Sequence, residues 1–348
     1  MLFDAALSKV IDEIAADAAR VQAEGFDGGW VGETRHDPFM QVMEAGRGTS
    51  TLQLGTAVAI AFARNPMTVA NSAYDLAAFT GGRFVLGLGS QVKAHIERRF
   101  AMPWSSPAAR MRDFVLALRA IWTAWNDGTQ LDFHGQFYTH TLMTPFFAPP
   151  AHQWGGPPVY LAGVGPRMTE VAGEVADGFF VHAFSTPRYI AEVTVPALMC
   201  GRRRNGRDDL EGFTLAGPVF ACVGRDDTEL KSAIVGTKAQ IAFYASTPGY
   251  RSVLDLHGWG DAQHELTRLS RAGRWLDMGA VVDDEMLHEF AVVGDPESVG
   301  RQIAGRYSHL MDRVSFYAPY PHDPSVWPDV LAAARAANTP AAMSEGHL

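Results

Sequence analysis

Two cysteines, Cys200 and Cys222, stand in a chain of 348 residues, too few and too oddly spaced for a disulfide framework or a thiolate metal centre. Metal motifs are missing as well: no His-Glu-x-x-His occurs, and the 12 histidines are scattered. Long apolar runs are absent. The longest near the front, residues 57–63, is far too short to span a bilayer. The N-terminus Met-Leu-Phe-Asp-Ala carries no basic leader followed by an apolar run, so a cytoplasmic protein in a reducing compartment is expected. Positive charge is in deficit. With 29 Lys and Arg against 38 Asp and Glu, the net charge of −9 repels polyanions and argues against a nucleic-acid partner. The one basic cluster, Arg202-Arg203-Arg204 with Arg207, falls in a turn-like stretch, 201–209, and reads as a solvated loop face.

What is present is material for a large core. The chain is 47% hydrophobic and 19% charged, with 34 Gly and 20 Pro to punctuate it. Strand-like and helix-like segments alternate. Strands are expected at 2–7, 26–32, 52–62, 83–88, 159–162, 178–182, 213–222 and 313–317. Helices are expected after Ser8, from Pro66 to Phe79 with Gly81-Gly82 as the stop, over 110–126, over 168–176, from Asp226, and from Pro296 to Tyr307. This βαβα order predicts a parallel sheet, and eight strands favour closure into an α/β fold of the (β/α)₈ TIM-barrel type. Two stretches break the alternation: 130–158, with a hairpin over Leu131 to Tyr138 and a Pro/Gly-rich loop after it, and a helical segment at 247–286. Both read as insertions after strands four and seven of one domain spanning 1–336, with 337–348 as a loosely ordered tail.

In such a barrel, function collects in the loops that follow the strands. After the second strand comes Glu33-Thr34-Arg35-His36-Asp37-Pro38, where a carboxylate near a histidine suits acid/base work. The competing reading is a polar turn, with Asp37 capping a helix that Pro38 opens. After the fourth strand, Gly87-Leu-Gly89-Ser90 lacks the third glycine of a dinucleotide fingerprint and the spacing of a nucleophile elbow. Its glycines permit close backbone approach to something bulky and flat. After the fifth, Ala162-Gly163-Val164-Gly165-Pro166 opens a helix whose first amides make an anion site, the place expected for a cofactor phosphate. His182 ends the sixth strand, and His95 lies beyond the fourth.

At these loops the sequence resembles the bacterial luciferase-like superfamily, in particular its coenzyme F420-dependent oxidoreductase branch. The carriers are Gly25-Phe-Asp-Gly-Gly-Trp-Val-Gly-Glu33, Leu54-Gly-Thr-Ala-Val58, Gly82-Arg-Phe-Val-Leu-Gly-Leu-Gly-Ser90, Ala162-Gly-Val-Gly-Pro166 with Ala172-Gly-Glu-Val-Ala-Asp-Gly178, and Val293-Gly-Asp-Pro-Glu297. The resemblance implies a TIM barrel with the cofactor across its mouth and a non-proline cis peptide, here Ala57–Val58, behind the cofactor ring. It implies cofactor contacts at Glu33, Ala57, Val58, Gly89, Ser90, His95, Gly163, Val164, Gly165 and His182, and no metal. There are departures. Thr34 stands where many F420 enzymes place a catalytic histidine, with His36 two residues on. Val92 stands where the sugar-phosphate dehydrogenases place a glutamate, which argues against sugar-phosphate or simple alcohol oxidation.

The expected activity is therefore hydride transfer between F420 and a small organic substrate, with His36 moving a proton and Glu33 orienting it or the ring. The alternatives are an FMN-dependent monooxygenase using reduced flavin and O₂, and a non-catalytic flavin or deazaflavin carrier. The family likeness also implies a homodimer or higher homo-oligomer.

Overall fold

The computed structural model describes residues 1–338. Among the described residues twelve strands follow one another: β1 (Leu2–Ala6), β2 (Gly28–Val31), β3 (Gln53–Thr56), β4 (Ala59–Ile60), β5 (Phe84–Gly89), β6 (Phe133–His134), β7 (Thr139–His140), β8 (Val159–Ala162), β9 (Gly178–Phe180), β10 (Thr214–Val223), β11 (Ala291–Gly294) and β12 (Arg313–Tyr317). All but the small β6–β7 hairpin pair in parallel, with helices between them, which is the alternation expected of an α/β barrel. The chain divides into two compact units, one of residues 4–180 and 197–214, the other of 1–3, 181–196 and 215–338 among the described residues.

In the first unit, β1, β2, β3, β5, β8 and β9 lie side by side in that order. Asp4 pairs with Gly28, Gly28 with Gln53, Leu54 with Phe84, Leu86 with Val159, and Tyr160 with Gly178. The strands read as apolar runs because helices cover one face and packed side chains fill the other. Leu54, Phe84, Leu86, Val159 and Leu161 are fully buried. Trp30 shows how tightly the interior closes. Its indole N–H donates to Asp4 Oδ2 at 2.8 Å, its ring meets Phe180 edge-on, and a Cβ on Gly55 would lie 2.4 Å from it. The long helix Pro107–Asp127 packs Phe114, Leu118, Ile121 and Trp122 inward, as its spacing predicts.

In the second unit, β10 carries β11 along Phe220–Val223 and β12 along Ala216–Phe220. Buried Tyr320 ties down the end of β10: its hydroxyl accepts from Val223 N at 2.8 Å and donates to Ala221 O at 2.7 Å. The stretch expected to be helical is so, with helices Arg251–Leu256, Gly260–Arg271 and Asp284–Phe290. Phe184, Ile241, Leu254, Leu266, Leu287 and Phe290 form this unit's core.

Several expectations are corrected. The first helix begins at Ile14, not after Ser8, and Val10 and Ile11 are exposed. Ser8 N instead donates to Asp17 Oδ2, anchoring a turn. The third strand is broken into β3 and β4. β11, Ala291–Gly294, was not among the expected strands; it ends in the Val-Gly of the Val-Gly-Asp-Pro motif. Arg202, Arg203 and Arg204 end the helix Val195–Arg204 rather than lying in a loop. Arg202 is buried and its guanidinium donates to Asp209 O and Glu211 O. Two residues expected in the tail are placed in the structure: Ala337 closes a helix, and Asn338 Nδ2 donates to Met1 O at 3.0 Å. The rest of that tail, 339–348, lies outside the described residues. Cys200 and Cys222 are free thiols, no group of three potential metal ligands occurs, and no helix is long and apolar enough to cross a membrane, all among the described residues.

Candidate active site

The Ala57–Val58 peptide is cis, as the likeness implies. It lies between β3 and β4, and the chain around it is held from the β2 side. Ala57 N donates to Val31 O at 2.7 Å, and Glu33 N donates to Val58 O at 3.2 Å. Glu33 then reaches across: its Oε2 accepts from Ile60 N and from Arg64 Nη1, both at 2.7 Å. The Arg64 guanidinium also donates to Asp37 Oδ2 at 2.7 Å and lies over the Phe39 ring. Burial alone would lower the guanidinium pKa, but Glu33 and Asp37 more than offset it and the net shift is upward. The second carboxylate oxygen of Glu33, Oε1, makes no hydrogen bond among the described residues.

The polar turn expected at Asp37 is realised. Its Oδ1 accepts from Phe39 N and Met40 N, capping the helix Pro38–Arg47 that Pro38 opens. His36 is exposed beside it, and so is His95 on the short helix Lys93–Arg98. Neither side chain makes a hydrogen bond among the described residues.

Two glycines of β5 are required by packing within the protein. A Cβ on Gly87 would stand 1.8 Å from Thr56 O, and one on Gly89 would stand 2.6 Å from Val58 Cγ2. The close approach seen here is to Thr56 and Val58 of the neighbouring segment. Thr56 Oγ1 completes the fit by donating to Gly87 O and accepting from Gly87 N. Ser90 Oγ donates to Gln91 O. Gln91, Ala101 and Ser106 have φ of 57°, 53° and 36°, and they are the non-glycine residues with positive φ among the described residues. All three fall between β5 and the helix Pro107–Asp127. Backbone outliers of this kind gather where a loop is shaped for a task.

Gly165 ends the loop after β8 and starts the helix Pro166–Val175 without a side-chain cap. Ser106 starts the helix Pro107–Asp127, also without one. Both N-termini line one groove of about 640 Å³, together with Arg167 and Met168. Two helix N-termini without side-chain caps thus face one groove, beside the Arg167 guanidinium, which has no ion pair among the described residues. A Cβ on Gly163 would lie 2.6 Å from Met168 Cγ, so this glycine serves strand–helix packing, while a Cβ on Gly165 would meet nothing within 4 Å. Val164 lies between them.

His182 belongs to the other unit, where it sits in an aromatic cluster. Its ring stacks on Tyr250 at 4.7 Å and meets Tyr244 edge-on at 4.7 Å. Burial lowers the imidazole pKa to about 4 and lifts the Tyr250 phenol to about 12. Tyr244 and Tyr317 share a hydroxyl contact of 3.3 Å. Sequence reading missed Arg64 and the three tyrosines. Arg64 had one signal, its place directly before the Asn65 cap of the helix Pro66–Phe79. The tyrosines had none, because they come from segments distant in the chain.

Residues 4–313 match the family described as luciferase-like monooxygenase. An uncharacterized protein of Mycobacterium tuberculosis is 52% identical over 301 residues, 86% of this chain and 88% of that one. The 5,10-methylenetetrahydromethanopterin reductase of Methanolobus tindarius is 28% identical over 84% of this chain and 85% of its own. The solved coenzyme F420-dependent tetrahydromethanopterin reductase from Methanopyrus kandleri superposes with a TM-score of 0.77 at 22% identity, over 94% of this chain and 96% of that one. At that identity the likeness is one of fold, and the fold is the parallel eight-stranded α/β barrel.

Proposed function

This chain belongs to the luciferase-like monooxygenase family, and on that premise we propose that it is an oxidoreductase that transfers hydride between coenzyme F420 and a small organic substrate. The observation that carries the choice of an anionic cofactor is the groove where two uncapped helix N-termini and Arg167 meet. The likeness to the F420-dependent reductase from Methanopyrus kandleri supports F420 over FMN. The residues fit the group. Gly165 and the amides behind Pro107 and Pro166 would hold its anionic part, with Gly163 and Val164 shaping the loop. Ala57 and Val58, backed by Gly89 and Ser90, would form the wall behind its ring, and His95 would contact it from the short helix after β5. When bound, F420 supplies a hydride donor or acceptor at C5.

The chain's own residues bind and position. Glu33, anchored by Arg64 and Ile60 N, presents Oε1 at a set place. His36, exposed beside that turn, moves the proton that accompanies the hydride. His36→Ala should lower turnover by about a hundredfold with cofactor affinity unchanged. The deciding measurement is equilibrium binding of oxidised F420 and of FMN to the apo-protein. F420 binding supports the reading. Submicromolar FMN binding without F420 binding overturns it in favour of the flavin monooxygenase suggested by the family's description.

A further inference from the structure

The aromatic cluster of the second unit contains a hydrogen-bond donor that the reading above does not use. His182 is held from both ring nitrogens. Phe184 N donates to Nδ1 at 3.1 Å, so Nδ1 carries a lone pair and no proton. The ring is neutral at ordinary pH, because burial lowers its pKa to about 4. Its one proton is therefore on Nε2, which donates to Tyr250 Oη at 3.1 Å. That bond occupies a lone pair of the phenol oxygen. The proton of Tyr250 itself is left without an acceptor among the described residues. Burial lifts the phenol to about 12, so that proton stays in place across the physiological range.

The surroundings say what this donor can take. His182, Tyr244, Tyr250 and Tyr317 each keep part of their surface exposed. Phe184 packs 5.5 Å from the Tyr250 ring and Tyr244 lies 5.9 Å from it, nearly perpendicular. No charged side chain shifts His182 or Tyr250. Their perturbations come from burial and, for Tyr250, from Tyr244. A carboxylate or phosphate would call for cations here. A flat ring with a single oxygen acceptor would find aromatic edges and one aimed hydroxyl.

We propose that the Tyr250 hydroxyl, oriented by Nε2–H of His182, is a binding donor for a planar ligand that presents one carbonyl- or phenolate-type oxygen. His182 is then a positioning residue, with both nitrogens committed to the protein rather than to a cofactor. The donor role rests on these bonds alone, whereas calling the ligand the substrate rests on the oxidoreductase reading above.

The test uses the full chain and 4-nitrophenolate as probe, titrated by its absorbance under conditions that keep it ionised. Nitrobenzene, which has the ring without the phenolate oxygen, is the control. The wild type should bind 4-nitrophenolate with a shift of its absorption band. Tyr250→Phe should bind it about tenfold more weakly and bind nitrobenzene equally well. His182→Gln, whose amide can still donate, should stay within about threefold of wild type, while His182→Phe should lose most of the band shift. Nitrogen-15 NMR of the wild type should show His182 protonated on Nε2. No binding by the wild type, equal affinity in Tyr250→Phe, or an Nδ1-protonated His182 would each overturn the proposal. The NMR result stands even if a variant fails to fold. Titration of F420 into wild type and Tyr250→Phe separates the two readings: loss of F420 binding with retained 4-nitrophenolate binding counts against the oxidoreductase proposal alone.

Discussion

The Glu33–Arg64–Asp37 cluster and the His182–Tyr250 cluster hold polar groups partly out of water in opposite ways. The first does it with charge. One guanidinium bridges two carboxylates, and a backbone N–H fills the remaining place on Glu33 Oε2. The second does it with neutral groups: burial discharges the imidazole, and ring faces supply the packing. The difference lies in what is left over. In the first cluster most of the polar capacity is absorbed in organising the β3–β4 break, leaving a carboxylate oxygen as acceptor. In the second the tautomer directs a phenol proton outward as donor. A titratable residue after a barrel strand does not announce chemistry by its identity. What counts is which lone pair or proton its neighbours have not used.

That contrast can be broken experimentally. The largest effect should come from the frame shared by the first cluster. Gly87→Ala places a methyl 1.8 Å from Thr56 O between two strands that cannot part, and should destabilise the protein by more than about 4 kcal/mol in denaturant melts. Glu33→Ala strands the Ile60 N–H and half of the Arg64 pairing, at a cost of about 2–3 kcal/mol, and Glu33→Gln should recover part of it.

The second cluster predicts a pH effect of the opposite kind. The folded imidazole pKa of His182 is depressed to about 4, so its stabilisation is complete above the unfolded value near 6.5. It is lost as pH falls from there towards 4, because the unfolded chain takes the proton first. The loss should be on the order of 2–3 kcal/mol, allowing for partial solvent access, and His182→Phe should flatten the profile in that window. The smallest effect is at the exposed edge of the first cluster. Asp37→Ala removes a helix cap and an exposed half of the ion pair, and should cost about 1 kcal/mol, with Asp37→Asn recovering the cap's share. Equal pH responses of the two clusters would erase the distinction between charged and neutral solutions.

Most of the architecture was legible because it follows from local period and punctuation. Pro66–Phe79, Val159–Ala162, Pro296–Tyr307 and Arg313–Tyr317 fall where apolar spacing, proline and glycine place them. Failures had local causes. Val10 and Ile11 mimic helical spacing, but a turn pinned by Asp17 keeps them outside the helix. Arg202 looked solvated because a run of three arginines says nothing about which guanidinium finds two carbonyls in a later loop. The site was legible only as positions. The family motifs marked Glu33, Ala57, Val58 and Gly165, but not that Glu33 would be met by Arg64.

By itself, the sequence determined the βα alternation, the helix starts at its prolines, the absence of metal spacing and membership of a luciferase-like family, since each depends on neighbours in the chain or on motif order. Only the tertiary structure decided why Gly87 and Gly89 must be glycine, which carboxylate oxygen of Glu33 is spent, and which nitrogen of His182 carries the proton. Those are questions of what lies within about 3 Å across strands and loops, the reach of a hydrogen bond or a hard contact, and distance in the chain carries no such information.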